Sequence, residues 1–265
     1  LSNLLMKLFN SYKWILSLLL LSTLFYSCQF QDSDVLFLDK LDKSFDVSKF
    51  YAPKIKKTES MLASDVKNMN KQELKKVFET AIFKKDTIAI FDSEGSLPAP
   101  FYLESTSGWG TRNVKPKKYY GYRYTTVSYN EEKDTLAMLN GVVFPAVTMA
   151  ENNDGEFAYL YASKTSKNKA DFQNLQDFLQ KTYTPLKISE EAGFGIKAWE
   201  SPYFYYFLTK KDRKEELIFS FGEPEVERPS TTDVSDILLE IFSKEYIQEM
   251  RKERVYLREY IPVVK

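Results

Sequence analysis

Serine and lysine stand three residues apart twice in this chain, as Ser64-Asp65-Val66-Lys67 and Ser166-Lys167-Asn168-Lys169. On a helix that spacing sets a hydroxyl nucleophile beside an amine. Neither copy is followed by Lys-Thr-Gly, and a chain with 30 lysines produces such matches by chance, so both read as incidental. Glu151-Asn152-Asn153-Asp154-Gly155-Glu156 gathers oxygen donors, as does Asp32-Ser33-Asp34. An EF-hand loop opening at Glu151 needs Glu at its twelfth position, where this chain has Ala162, so the segment reads as a solvated hairpin tip. Glu131-Glu132, Glu190-Glu191 and Glu215-Glu216 supply carboxylates for an acid–base hydrolase of envelope or extracellular glycans. That is the alternative, enzymatic reading. Adjacent carboxylates do not define the spacing such a reaction needs across a sugar ring.

The residue counts exclude more chemistry. The chain has no histidine, so Ser-His-Asp and Cys-His systems are ruled out, along with imidazole metal sites. Its single cysteine, Cys28, forms neither an internal disulfide nor a Cys-rich cluster. Nothing implies a cofactor or a metal. The 37 basic residues balance the 37 acidic ones and only seven are arginine, which argues against a nucleic-acid partner.

The N-terminus is informative. Residues 14–26 are uncharged and mostly apolar, Lys7 and Lys13 precede them, and no acidic residue comes before Asp32. A basic n-region followed by a short apolar stretch is the plan of a secretory signal. The uncharged run of about 15 residues falls short of the roughly 20 that a spanning helix needs. Met6-Lys7 reads as the natural start, with residues 1–5 upstream of it.

Leu24-Phe25-Tyr26-Ser27-Cys28 resembles the lipobox of bacterial lipoproteins, with Phe25 in place of the usual Leu and a bulky Tyr26. The resemblance implies cleavage before Cys28 and acylation of its sulfur, a palmitate-type anchor to the membrane. Two or more acyl chains, at about 0.8 kcal/mol per buried methylene, hold a domain stably. Cleavage leaves 35 basic against 37 acidic residues, a net of −2. Gln29 stands where an inner-membrane retention signal carries Asp. The expected location is therefore the cell envelope, on the periplasmic or surface face of the outer membrane.

Four aromatic residues are binding candidates. Trp109 sits between Gly108 and Gly110, where two glycines leave an indole free to act as a stacking platform. Tyr122 and Tyr124 belong to Tyr119-Tyr120-Gly121-Tyr122-Arg123-Tyr124, and Tyr205 to Tyr203-Phe204-Tyr205-Tyr206-Phe207. Each run presents rings to both faces of a strand, of which one face must be core.

The elements that position them follow from periodicity. Asn70 and Glu73 form a capping box ahead of a helical stripe at Leu74, Val77, Phe78, Ala81 and Ile82. Thr87–Phe91 reads as a strand and 92–117 as loop-rich. Tyr119–Tyr129 and Thr135–Leu139 flank a polar turn, and Val142–Ala150 and Glu156–Ala162 flank the Asp154-Gly155 turn. Lys169–Thr182 is an amphipathic helix with Phe172, Leu175, Phe178 and Leu179 on one face. Strands are expected at Gly195–Glu200, Tyr203–Lys210 and Glu216–Phe221, with Lys211–Glu215 as a turn. Pro229-Ser230 then opens a long final helix burying Val234, Ile237, Leu238, Ile241, Phe242 and Met250, before a closing strand at Val255–Ile261.

The expected organisation is a signal at 1–27, a lipidated Cys28 with a tether over 28–50, and one domain over 51–265. Its fold class is α+β: an antiparallel sheet of several hairpins with about three amphipathic helices packed on one face. The functional expectation is an envelope lipoprotein with a non-catalytic domain that binds a protein or a glycan. An immunity protein intercepting a toxin is one form of it.

Overall fold

The computed structural model describes residues 34–63, 69–78, 80–91, 101–108, 114–188, 195–216, 231–253 and 255–256. The chain divides into two compact units at Leu36/Phe37, and the second, Phe37–Lys265, holds the elements below. Residues 37–50, expected as tether, belong to it: Leu38, Leu41, Val47 and Phe50 are buried.

Helix α1 spans Val47–Leu62 and begins where the Asp46 side chain accepts from Lys49 N at 2.8 Å. Its inner face is Val47, Phe50, Tyr51, Lys54 and Thr58. Two of those five are polar, which hides the apolar stripe from a sequence reading. Lys54 puts its Nζ 3.9 Å from the Phe50 ring, and Thr58 Oγ1 accepts from Phe83 N. Helix α2, Lys71–Phe78, carries the expected capping box: Asn70 N donates to Glu73 Oε2 and Glu73 N to Asn70 Oδ1.

The strands are β1 Ile82–Ile90, β2 Phe101–Ser105, β3 Lys118–Ser128, β4 Ala137–Leu139, β5 Val142–Phe144, β6 Ala146–Glu151 and β7 Phe157–Ser166. Helix α3, Ala170–Thr182, follows, then β8 Thr184–Leu186, β9 Lys197–Glu200, β10 Phe204–Glu216 and β11 Thr231–Ser243. Helix α4, Lys244–Lys252, and β12 Val255–Tyr256 come last. Ten of the strands form one sheet in the order β12-β2-β1-β3-β6-β7-β11-β10-β9-β8. Its pairs are antiparallel except β12 on β2. The α+β expectation holds.

Three local expectations are corrected. Residues 231–243 form a strand, not a helix, and only 244–252 are helical. In Val234-Ser235-Asp236-Ile237-Leu238-Leu239-Glu240-Ile241-Phe242 both faces become buried, and a strand covered on both sides loses the alternation that distinguishes it from a helix. Lys211–Glu215, expected as a turn, continues β10, which pairs with β11 from Phe204↔Ser243 to Glu216↔Thr231. Thr135–Leu139 does not pair with the preceding strand. Ala137–Leu139 pairs with Val142–Phe144 around Asn140 and Gly141, whose φ values of 48° and 77° suit a two-residue hairpin turn.

Helices cover both faces, not one. Tyr51 of α1 stacks on Tyr124 at 5.0 Å, and Tyr124 pairs with Met149. Tyr246 of α4 meets Tyr159 at 6.1 Å, and Tyr159 pairs with Ala150. Met149 and Ala150 are neighbours on one strand, so they point to opposite faces. The α1 face continues through Leu160, Ile241 and Tyr206. There Tyr183, at the end of α3, stacks on Tyr206 at 4.2 Å, and Trp199 Nε1 donates to Gln180. The α4 face gathers Ile88, Tyr120, Tyr159, Phe207, Phe242 and Met250.

Candidate functional site

A cleft of about 590 Å³ opens where three segments meet: the loop before α1, the β6–β7 turn and the start of α4. The sequence builds each wall locally. Asp42 Oδ1 accepts from Ser44 N and Ser44 Oγ, and Asp46 caps α1. Asn152 Oδ1 accepts from Asp154 N and Glu156 N, while Gly155 takes a φ of 80° that closes the turn. Ser243 ends β11 and caps α4 by accepting from Tyr246 N. Each of these side chains completes a backbone turn and thereby fixes the cleft's shape.

The lining carries Asp46, Asp154, Glu156, Glu245 and Glu249 against Lys43 alone, a formal charge of −4. Asp46 caps α1 and Glu245 lies in the first turn of α4, where the helix dipole favours negative charge.

Exposed tyrosines flank the cleft. Tyr203 is 50% exposed, its carbonyl accepts from Lys244 N, and Lys43 Nζ lies 5.4 Å from its ring. Tyr122 is 40% exposed, pairs with Glu151 beside the β6–β7 turn, and has Lys85 Nζ 4.0 Å from its ring. Tyr119 is also exposed, and its carbonyl accepts from Asn153 Nδ2 at the turn.

A buried group supports the turn from behind. Glu151, 4% exposed, accepts from the Tyr124 hydroxyl at 2.8 Å, with Lys85 Nζ 3.9 Å from the same oxygen. Burial, reinforced by that hydrogen bond to a carboxylate, pushes the Tyr124 phenol well above its ordinary pKa. Gly121 has a φ of 118°, and a Cβ there would lie 2.0 Å from Glu151 O. Only glycine lets β3 and β6 approach so closely.

Of the four aromatic candidates, Tyr122 is exposed and pairs with Glu151, next to the β6–β7 turn but outside the cleft's lining. Tyr124, two residues on, is 2% exposed and belongs to the core beneath α1, so its ring is no surface. Tyr205 lies on the opposite face, half-buried against the α4 core, with Lys244 Nζ 4.9 Å from its ring. Trp109 and Cys28 lie outside the described residues, as does the Ser64–Lys67 pair. Ser166 donates to Asp171 and so belongs to the turn ahead of α3.

A serine–lysine contact that the sequence did not suggest occurs in the Ser107 turn. Lys84 Nζ donates to Ser107 Oγ at 2.7 Å, and Ser107 donates to Asp86 at 2.5 Å. Burial works to raise the Asp86 pKa, but hydrogen bonds from Ser107 and Lys84 outweigh it and hold the carboxyl below its usual range. Lys84 lies 2.9 Å from that carboxylate. With Lys84 paired to Asp86 and both bonded to Ser107, the trio fastens the turn to β1.

Sequence reasoning missed the cleft because its carboxylates come from three separate stretches that only the topology joins. Gly121 inside an aromatic strand was the available signal, since a strand glycine marks close backbone approach. Comparison with protein-family models, curated proteins and solved structures finds no match.

Proposed function

We propose that the chain is a bacterial envelope lipoprotein, held through Cys28 and sorted to the outer membrane, whose α+β domain binds a protein partner at the acidic cleft without catalysing a reaction. The observation that carries the binding reading is the cleft itself, five carboxylates against one lysine, with exposed Tyr203 beside its Lys43 and exposed Tyr122 on the strand next to its β6–β7 turn. Tyrosines beside concentrated charge are what protein interfaces use for anchoring and steering. The sign of the charge selects a partner with a basic surface, and interception of a toxin by an immunity protein is one role of this form.

Two details favour a protein over a glycan or a hydrolysed substrate. Sugar stacking needs an open ring face, whereas Lys85 and Lys43 already sit over Tyr122 and Tyr203. Asp46 and Glu156 are committed to a helix cap and to a hydrogen bond from Asn152, duties that suit a fixed charged surface better than proton transfer.

Two measurements in cells test the proposal. Radiolabelled palmitate should enter the chain and be lost in Cys28→Ala; an unlabelled wild-type chain would remove the anchor reading. A photo-crosslinker at Asp154 should capture one partner, and Glu245→Lys with Glu249→Lys should abolish the capture. Capture unchanged by that reversal would remove the cleft reading.

A further inference from the structure

A second cavity, of about 430 Å³, lies between the loop ahead of α3 and the paired strands β10 and β11. Its lining contains Lys167, Lys169, Lys210, Arg213 and Lys214 against Asp212 and Asp233, a formal charge of +3. Several of these groups are already engaged. Lys210 pairs with Asp212 at 2.9 Å, Arg213 with Asp236 at 2.7 Å and Lys167 loosely with Glu132 at 3.6 Å. Asp212 also accepts from Ser235 Oγ at 2.6 Å, and hydrogen bonds from Ser235 and Lys210, with the charges of Lys210 and Lys169 nearby, hold its carboxyl below the usual range. Lys169 and Lys214 have no carboxylate within 4 Å among the described residues. Lys169 and Lys214 therefore border a cavity in which Asp212 already accepts from Ser235 and Lys210, Asp233 stands opposite Lys214 in the strand register, and cations outnumber carboxylates by three.

We propose that this cavity binds a phosphate-bearing anion, held by Lys169 and Lys214. The chemistry follows from the donors. A lysine ammonium binds phosphate as a compact point charge, and several cations around one cavity suit an anion carrying more than one negative charge. Arg213, the guanidinium in the lining, is held by Asp236. The ligand is either a free phosphate compound or the headgroup of an anionic phospholipid, since both offer the same group. This site is independent of the acidic cleft and of the binding reading given there.

Inorganic pyrophosphate titrated into the full 265-residue chain tests the first source, read by isothermal calorimetry. Binding should saturate, weaken with salt, and fall by about tenfold or more in Lys169→Glu with Lys214→Glu. Lys169→Gln with Lys214→Gln, which only neutralises, should show a smaller loss in the same direction and guards against misfolding of the reversed variant. Vesicles of phosphatidylglycerol in phosphatidylcholine test the second source by co-sedimentation against phosphatidylcholine alone. Charge-dependent retention that the lysine variants abolish, with no pyrophosphate binding, identifies a lipid headgroup, and pyrophosphate binding without it identifies a free phosphate compound. Saturable binding of neither probe overturns the proposal, as does binding that both lysine variants retain unchanged.

Discussion

At the start of β7, Phe157 borders a cleft lined by five carboxylates and one lysine, whereas at its end Ser166 borders a cavity lined by five cations and two carboxylates. The partner strand β11 runs the other way and touches both, through Ser243 at the first and Ser235 at the second. A ten-residue strand sets them about 30 Å apart. The formal balance of 37 against 37 thus hides segregated charge. The two ends also differ in how their charge is held. At the acidic end, Asp46 as the cap of α1 and Glu245 in the first turn of α4 are stabilised by helix N-termini. At the basic end, Lys169 and Lys214 have no comparable support. One end carries charge as part of its architecture; the other carries charge in search of a counter-ion.

The strongest way to break this contrast is at Gly121. With a φ of 118° and Glu151 O 2.0 Å from an added Cβ, Gly121→Ala should cost about 3 kcal/mol or more, lowering Tm by roughly 10 °C. A thermal melt within a degree or two of wild type would show that β3 and β6 can separate without penalty.

Asp171 is the next lever, and it belongs to the basic end. Burial works to raise its pKa, but hydrogen bonds from Lys164 and Ser166 prevail and lower it. A carboxylate with a depressed folded pKa contributes stability that is present above its unfolded value of about 3.9 and is lost as pH falls through the lower folded one. Asp171→Asn should therefore cost about 2 kcal/mol at neutral pH by urea denaturation, with the gap from wild type closing below about pH 3. A gap that persists to pH 2 would assign the cost to packing.

Tyr124→Phe removes only the hydroxyl that donates to Glu151, with an expected loss of about 1–2 kcal/mol. In the Glu151→Gln background the same change should cost less, since the acceptor is then neutral. Equal costs in both backgrounds would deny the pair any coupling. The smallest effect on stability belongs to Tyr203→Ala, within about 0.5 kcal/mol, because the side chain is half exposed. Its effect should fall instead on partner capture at the acidic end, with pyrophosphate binding at the basic end unchanged.

Sequence legibility followed the physics of covering. β3 was legible because its aromatics punctuate a chain too long and too β-prone for a turn, and the Asn70–Glu73 box was legible because a capping motif is local. β11 was misread because its final residues are buried on both faces, so that strand and helix periods fit Val234, Ile237, Ile241 and Phe242 equally well. The charged half of β10 was misread for the opposite reason. β9 pairs only with its first part, Tyr205 to Leu208, and an uncovered edge keeps the polar residues of a turn while remaining a strand. Asn140-Gly141 is a local hairpin signal, and the strands on either side of it pair accordingly. At the candidate site, Tyr122 and Tyr124 share a face and a residue type, and what separates them is whether α1 lies above. No local pattern encodes that.

The length of β7 has an electrostatic consequence of its own. About 30 Å is some three to four screening lengths at physiological ionic strength, where the Debye length is about 8 Å. Under those conditions each end of the strand is electrically invisible to the other, and ligands approach them as they would two separate molecules. At about 10 mM salt the screening length grows to about 30 Å and spans the strand. The same protein then behaves as a single large dipole, and occupation of one end alters the approach to the other.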